Sequence, residues 1–109
     1  MRVEQVECRV SSPESLIPKG VRAVFTCVHE HKVTRSLEDL HIHAALVRDS
    51  LSEVLGVKGL EIVFSENEAI GLDYILYSYR LLYAGRYVGT CRFVTLNNKL
   101  IKSLCTISQ

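Results

Sequence analysis

Residues 34–56, TRSLEDLHIHAALVRDSLSEVLG, fit two different structures, and the fold expected for the whole chain depends on which of them forms. As one helix, the segment begins at the N-cap Ser36, with Asp39 three residues later, and ends at Gly56. Apolar residues then recur along one helical face: Leu37, Leu40, Ala44, Val47, Leu51 and Val54. In the alternative, Leu40–Val47 is a strand and a shorter helix, Asp49–Leu55, follows it. Both alternatives stay open on local pattern alone.

The flanking segments predict a mixed α and β domain. Strands are predicted where apolar residues alternate or cluster, namely Val3–Val10, Val21–Val33, Leu60–Phe64 and Tyr87–Leu96, with Leu100–Ile107 as a last edge strand. Glu68–Tyr83 carries apolar residues at helical spacing, and Gly85 is typical of a helix C-terminus. We expect a single α+β domain over residues 1–109, with a central antiparallel sheet of about five strands packed by two or three helices.

Charge is distributed very unevenly along the 109 residues. The formal net charge is only +1, but all 12 acidic residues lie at or before Asp73. Residues 1–73 hold eight Lys and Arg against those 12, which is a net charge of −4. Residues 74–109 hold five Lys and Arg and no acidic residue, which is +5. Such a basic segment is able to form one positive face toward a phosphate backbone, although a short basic tail is the simpler interpretation.

Composition also limits the compartment and the chemistry. No apolar run approaches the roughly 18 residues of a membrane span, so no membrane association is expected. The charged N-terminus lacks the apolar region of a signal peptide, so we expect a cytoplasmic protein. The four cysteines contain no CxxC pair and sit among apolar residues. We therefore expect buried, reduced thiols rather than a zinc site or a disulfide framework.

All four histidines fall within His29–His43, as the tripeptides HEH and HIH. In a strand, His41 and His43 project from the same face, which suits two imidazole ligands of a divalent metal. In a helix the two are about 200° apart. On local pattern, the helix with two unrelated surface histidines is the favoured interpretation.

The order of segments adds a resemblance to a known family. VFTCVHEHK, then LHIHAALV, then DYILYSYR resembles the HUH endonucleases, which include rolling-circle replication initiators and relaxases. The family has His-hydrophobe-His on a central strand, a further ligand on the strand before it, and a helix with a nucleophilic tyrosine. The resemblance covers most of residues 21–96. It departs from the family in the first motif and in Arg80, where Lys is usual.

The resemblance implies a metal-dependent domain that nicks and joins single-stranded DNA. His41, His43 and Glu30 (or His29) would hold Mn²⁺ or Mg²⁺, and Mn²⁺ suits imidazole better. The metal would polarise the scissile phosphate.

A tyrosine would then attack the phosphate and form a phosphotyrosine intermediate. Tyr77 ranks first because Arg80 lies one helical turn away, and Tyr74 ranks second. Arg80, Arg86 and Arg92 are the predicted contacts with nucleic acid.

Two other functions remain open. A non-catalytic α+β binding or assembly domain that forms a homodimer needs no histidine chemistry, and a continuous helix over residues 36–55 favours it. Residues 36–96 also faintly resemble the N-terminal half of GNAT acyltransferases. The sequence lacks a glycine-rich pyrophosphate loop for acyl-CoA, which makes a working acyltransferase the weakest alternative.

Overall fold

The computed structural model describes residues 6–10, 21–29 and 37–108, and it shows a six-stranded antiparallel sheet with one helix on one face. The elements are β1 Val6–Val10, β2 Val21–His29, α1 Leu37–Leu55, β3 Leu60–Gly71, β4 Tyr74–Tyr83, β5 Arg86–Leu96 and β6 Lys99–Ser108. The strand order is β1-β2-β6-β5-β4-β3. Strands β3 to β6 are therefore a meander, and the β1–β2 hairpin joins it through β6.

Helix α1 resolves the ambiguity of the HIH segment, because it runs without a break from Leu37 to Leu55. Its buried stripe packs on the sheet and consists of Leu40, His43, Ala44, Val47 and Leu51. Residues three and four apart share a helical face, so this stripe is the predicted one with His43 added. The ends of the predicted stripe, Leu37 and Val54, are exposed. At the C-terminus, Val57 N–H donates to Ser52 O, and Gly56 takes a positive φ of 68°.

The predicted helix Glu68–Tyr83 is wrong. This segment is a hairpin in which β3 pairs with β4 across the turn at Leu72 and Asp73. The sequence YILYSYRLLY of β4 is almost entirely apolar or aromatic, so its residues match a period of two as well as a period of 3.6. Gly85 does not end a helix. Ala84 and Gly85 both have positive φ, as a two-residue type I′ hairpin turn requires.

The predicted fold class, about five strands packed by two or three helices, is therefore incorrect. The described part of the chain holds six strands and one helix, and most of it is antiparallel sheet. Within the described residues, no helix has the length and apolarity needed to cross a bilayer.

The two faces of the sheet differ in cover. The inner face lies under α1 and supplies the core: Phe25, Cys27, Tyr79, Leu81, Cys91, Phe93, Cys105 and Ile107 are all buried. The outer face carries the alternate residues, including Arg80 on β4, Arg92 on β5 and Lys102 on β6, all exposed. Among the described elements, none packs on the outer face. The described elements thus leave the outer face of β3 to β6 uncovered.

Two disulfides cross the inner face, Cys8–Cys27 between β1 and β2 and Cys91–Cys105 between β5 and β6. Each joins residues directly opposite one another in the ladder. All four cysteines are at most 4% exposed, so the predicted burial is confirmed. The predicted reduced state is wrong, because all four cysteines are paired. Their spacing along the chain did not indicate the bonds, since the pairs depend on the register between strands.

Candidate nucleic-acid interface

The two histidines of the HIH segment have separate partners. His41 Nδ1 lies 2.7 Å from the Tyr79 hydroxyl, and its ring packs edge-on against Phe64. His43 is 2% exposed, and its Nε2 lies 3.1 Å from Ser103 Oγ. His43 belongs to the buried stripe of α1, whereas His41 is exposed and lies beside that stripe, because residues i and i+2 diverge by about 200° on a helix. Each side chain contacts a residue of the sheet, His41 on β4 and His43 on β6.

These positions do not fit the Mn²⁺ or Mg²⁺ site that the resemblance implies. His41 and His43 are not brought together, and only the backbone of His29 is described, at the end of β2. Glu30 lies outside the described residues. Across residues 6–10, 21–29 and 37–108, no group of three or more His, Cys, Asp or Glu is arranged to hold a metal ion.

The predicted tyrosine nucleophiles lie on a strand, which separates them from one another. Tyr77 is half-buried on the inner face opposite Phe93, whereas Tyr74 is on the outer face and 38% exposed. Arg80 also lies on the outer face, so its predicted partnership with Tyr77 fails. Residues three apart share a face on a helix and lie on opposite faces of a strand.

Among the described tyrosines, Tyr79 is hydrogen-bonded to a histidine, although it was not one of the predicted nucleophiles. It is 2% exposed. Burial, with a smaller effect from Tyr77, raises the pKa of the Tyr79 phenol above its ordinary value of 10.0. A buried phenol that is harder to ionise is unsuited to attack a phosphate in solution. The His41–Tyr79 contact is therefore structural.

His43 and Ser103 form a buried polar pair. Neither side chain is accessible enough to serve as a base or a nucleophile. The His43 ring packs edge-on against Phe93, with 4.8 Å between the ring centroids. Ser103 borders a cleft of about 170 Å³ that opens beside the point where β2 and β6 stop pairing, but the residue itself is only 4% exposed. A substrate in the cleft would not reach the hydroxyl without movement of the strands.

Two of the three residues predicted to contact nucleic acid, Arg80 and Arg92, lie close together on the outer face. In the ladders, Arg80 is opposite Thr90 and Arg92 is opposite Leu104. Arg92 is therefore a diagonal neighbour of Arg80, and Lys102 is a diagonal neighbour of Arg92. Diagonal neighbours lie about 7–8 Å apart, so Arg80, Arg92 and Lys102 form one continuous line across three strands, called here the basic row. Arg86 lies outside it, beside the β4–β5 turn.

The strands that carry the basic row favour an anionic ligand, while the neighbouring β3 places Glu61 and Glu66 on the same face, each a diagonal neighbour of Arg80. Strands β4, β5 and β6 contain no acidic residue. In the described part of the chain, no residue of the row forms an ion pair. The Arg80 guanidinium carbon lies 6.0 Å from the Tyr87 ring centroid, within reach of a cation–π contact. Lys102 belonged to the predicted basic segment but not to the predicted site, and the alternation along β6 was the signal that places it on this face.

Exposed aromatic rings lie at both ends of the same face. Tyr74 and Tyr87 occupy opposite ends of the β4–β5 pair, opposite Leu96 and Leu82, and both point outward. Tyr87 is 49% exposed, and its hydroxyl is hydrogen-bonded to Thr90 Oγ1 at 2.6 Å. An open sheet with cations and exposed rings is able to bind phosphates and to stack bases.

Comparison of the chain with protein-family models, curated proteins and solved structures finds no match.

Proposed function

We propose that this chain is a non-catalytic binding domain whose outer sheet face binds single-stranded nucleic acid. The observation that carries the proposal is the basic row, in which Arg80, Arg92 and Lys102 line up on three neighbouring strands that hold no acidic residue. Phosphate contacts of this kind supply affinity without reading sequence. The exposed rings of Tyr74 and Tyr87 favour single strands, because a base must be unpaired to stack on a side chain.

The nicking and joining activity implied by the HUH resemblance receives no support from this arrangement. It requires two imidazoles on one face of a strand and an accessible tyrosine beside them. His41 and His43 instead lie on a helix with separate partners, and Tyr77 is half-buried. The proposal therefore keeps the predicted DNA partner and omits the metal and the covalent step. It also omits the acyltransferase alternative, for which the sequence supplies no pyrophosphate loop.

The disulfides bear on the compartment in which the domain works. Disulfides persist in oxidising compartments and are rare in the cytosol. The Cys8–Cys27 and Cys91–Cys105 bonds thus favour an oxidising compartment over the predicted cytoplasm. Trapping free thiols with an alkylating reagent during cell lysis, followed by intact mass measurement, tests this point. We expect no adduct, and a mass increase of four adducts would restore the cytoplasmic prediction.

Fluorescence anisotropy with a labelled oligothymidylate tests the binding function. We expect log K to fall with log salt with a slope of about −2, because three cations each contribute about −0.7 on a single strand. Arg92→Glu should weaken binding by about tenfold, or ~1.4 kcal/mol. The control is Lys58→Glu, the same change in charge at an exposed position between α1 and β3, which should leave binding unchanged.

Two results would contradict the proposal. One is equal weakening by Arg92→Glu and Lys58→Glu, which would show a response to net charge alone. The other is equal affinity for heparin and for the oligonucleotide, which would show a general preference for polyanions rather than recognition of nucleic acid.

A further inference from the structure

The outer face also carries a charge pattern that is complementary to itself. Four residues lie in one row across the meander: Glu68 on β3, Leu76 on β4, Val94 on β5 and Lys102 on β6. The row thus runs acid, apolar, apolar, base. A rotation of 180° about an axis between β4 and β5, parallel to the strands, reverses this order. Each charge of one copy then faces the opposite charge of the other, and Leu76 faces Val94.

The adjacent rows are compatible with the same rotation. Glu66, Ser78, Arg92 and Leu104 form the next row. After rotation, Arg92 faces Ser78 and Glu66 faces Leu104, so no two like charges meet. In the row beyond, Arg80 is opposite Thr90, and these two positions exchange on rotation. Like charges that face each other across an interface weaken association, and this register places no two like charges directly opposite each other within the three rows. Arg80 and Arg92 of the two copies lie on the strands beside the axis, where Glu66 of one copy flanks Arg92 of the other.

We propose that a second copy of this chain docks on the outer face, with Glu68 of each copy paired with Lys102 of the other. The two sheets pack face to face, with the axis between β4 and β5. Two aligned sheets pack about 10 Å apart and cross at about 30°, which leaves room for these long side chains to meet. The interface is isologous, as a two-fold axis requires, because each copy contributes the same patch.

The size of the face suits a dimer that forms and separates. Strands β3 to β6 each have ten to 12 residues. At about 4.8 Å between strands and 3.3 Å per residue, they cover roughly 600 Å² in projection. A standard interface buries about 800 Å² per partner, so this face lies near the lower limit for a stable association. The dimer covers the basic row, and it therefore competes with the proposed nucleic-acid ligand.

Reciprocal charge changes at Glu68 and Lys102 test the register. Glu68→Lys alone places two lysines together at each contact, and Lys102→Glu alone places two glutamates together. Each should weaken dimerisation at least tenfold in sedimentation velocity. An equimolar mixture of the two variants restores both contacts, so native mass spectrometry should show the mixed dimer. The double variant Glu68→Lys/Lys102→Glu should also dimerise.

Glu61→Lys is the matched control, because it makes the same change on the same strand and face. Its row continues to Leu82 and Tyr87, and the neighbouring end of β6, which would face it in the partner, carries no charged residue. Circular dichroism establishes that each variant is folded. A monomeric wild type at its highest soluble concentration would overturn the inference. A mixture that fails to form the mixed dimer, or single variants that dimerise like Glu61→Lys, would do the same.

The dimerisation measurements contain no oligonucleotide, so their outcome does not depend on whether the domain binds nucleic acid. If the domain dimerises as proposed and does not bind oligothymidylate, the second copy is the ligand of the outer face and the proposed function is overturned. If it binds oligothymidylate and stays monomeric, only the present inference fails. If both hold, added oligothymidylate should convert dimer to monomer.

Discussion

The Cys91–Cys105 disulfide should contribute about 3 kcal/mol to the free energy of unfolding. The two residues are 14 apart in sequence, so the bond closes a loop of 15 residues in the unfolded chain. The loss of unfolded-state entropy for such a loop corresponds to about 3 kcal/mol at 25 °C. For a chain of 109 residues, with an unfolding entropy of about 2.1 cal/mol/K per residue, this lowers Tm by about 13 °C on reduction.

The assay compares one chain in two redox states, so that no side chain changes. Cys8→Ala/Cys27→Ala leaves only the Cys91–Cys105 bond. Urea unfolding is followed by far-ultraviolet circular dichroism, with and without reductant, and the free energies are extrapolated to water. If this variant is unstable, the wild-type chain is used instead, with its Cys8–Cys27 bond selectively reduced and alkylated. A difference below about 1 kcal/mol would contradict this prediction, because an intact bond in the native ladder restricts the unfolded chain.

Three further predictions concern the turn, the core and the pH response. Ala84→Asn should stabilise the domain by about 0.5–1 kcal/mol in urea unfolding, because Ala84 has φ of 51° and Asn-Gly is the preferred type I′ pair; Ala84→Val should destabilise it. His43→Ala and Ser103→Ala should couple by about 1 kcal/mol in a double-mutant cycle, since their hydrogen bond is buried, and additive effects would argue against it. The raised pKa of Tyr79 means that the folded state holds a proton that the unfolded chain loses above about pH 10. Stability should therefore fall above that pH, and it should fall less steeply in Tyr79→Phe.

The sequence was sufficient for features that depend on local pattern. The alternation in Val21–Val33 and Tyr87–Leu96 correctly indicated the strands that the structure describes as Val21–His29 and Arg86–Leu96. The helical stripe with its terminal Gly56 was present in one of the two alternatives for residues 34–56. The excess of basic residues after Asp73 was also visible, but the sequence did not show which of them share a face of the sheet. The periodicity of apolar residues and the order of charges are properties of residues near one another along the chain, so both can be read from a single sequence.

The candidate site depended on which segments pair, and here local pattern was insufficient. The apolar strand β4 matched both periods, and its pairing with β3 and β5 selected the strand. That choice separated Tyr77 from Arg80 and aligned Arg80 with Arg92. The HIH segment likewise matched a strand in isolation, and it became a helix because Leu40, Ala44 and Val47 bury one stripe against the sheet.

Local pattern along the chain is enough to predict the periodicity of apolar residues, the burial of the cysteines and the separation of negative from positive charge. The cysteine pairs, the basic residues that share a face and the contacts of each histidine are visible only in the folded chain. These properties depend on how elements that lie far apart in sequence pack and pair. A shift of one residue in the β5–β6 ladder would place Arg92 and Lys102 on opposite faces of the sheet, and the basic row would not exist.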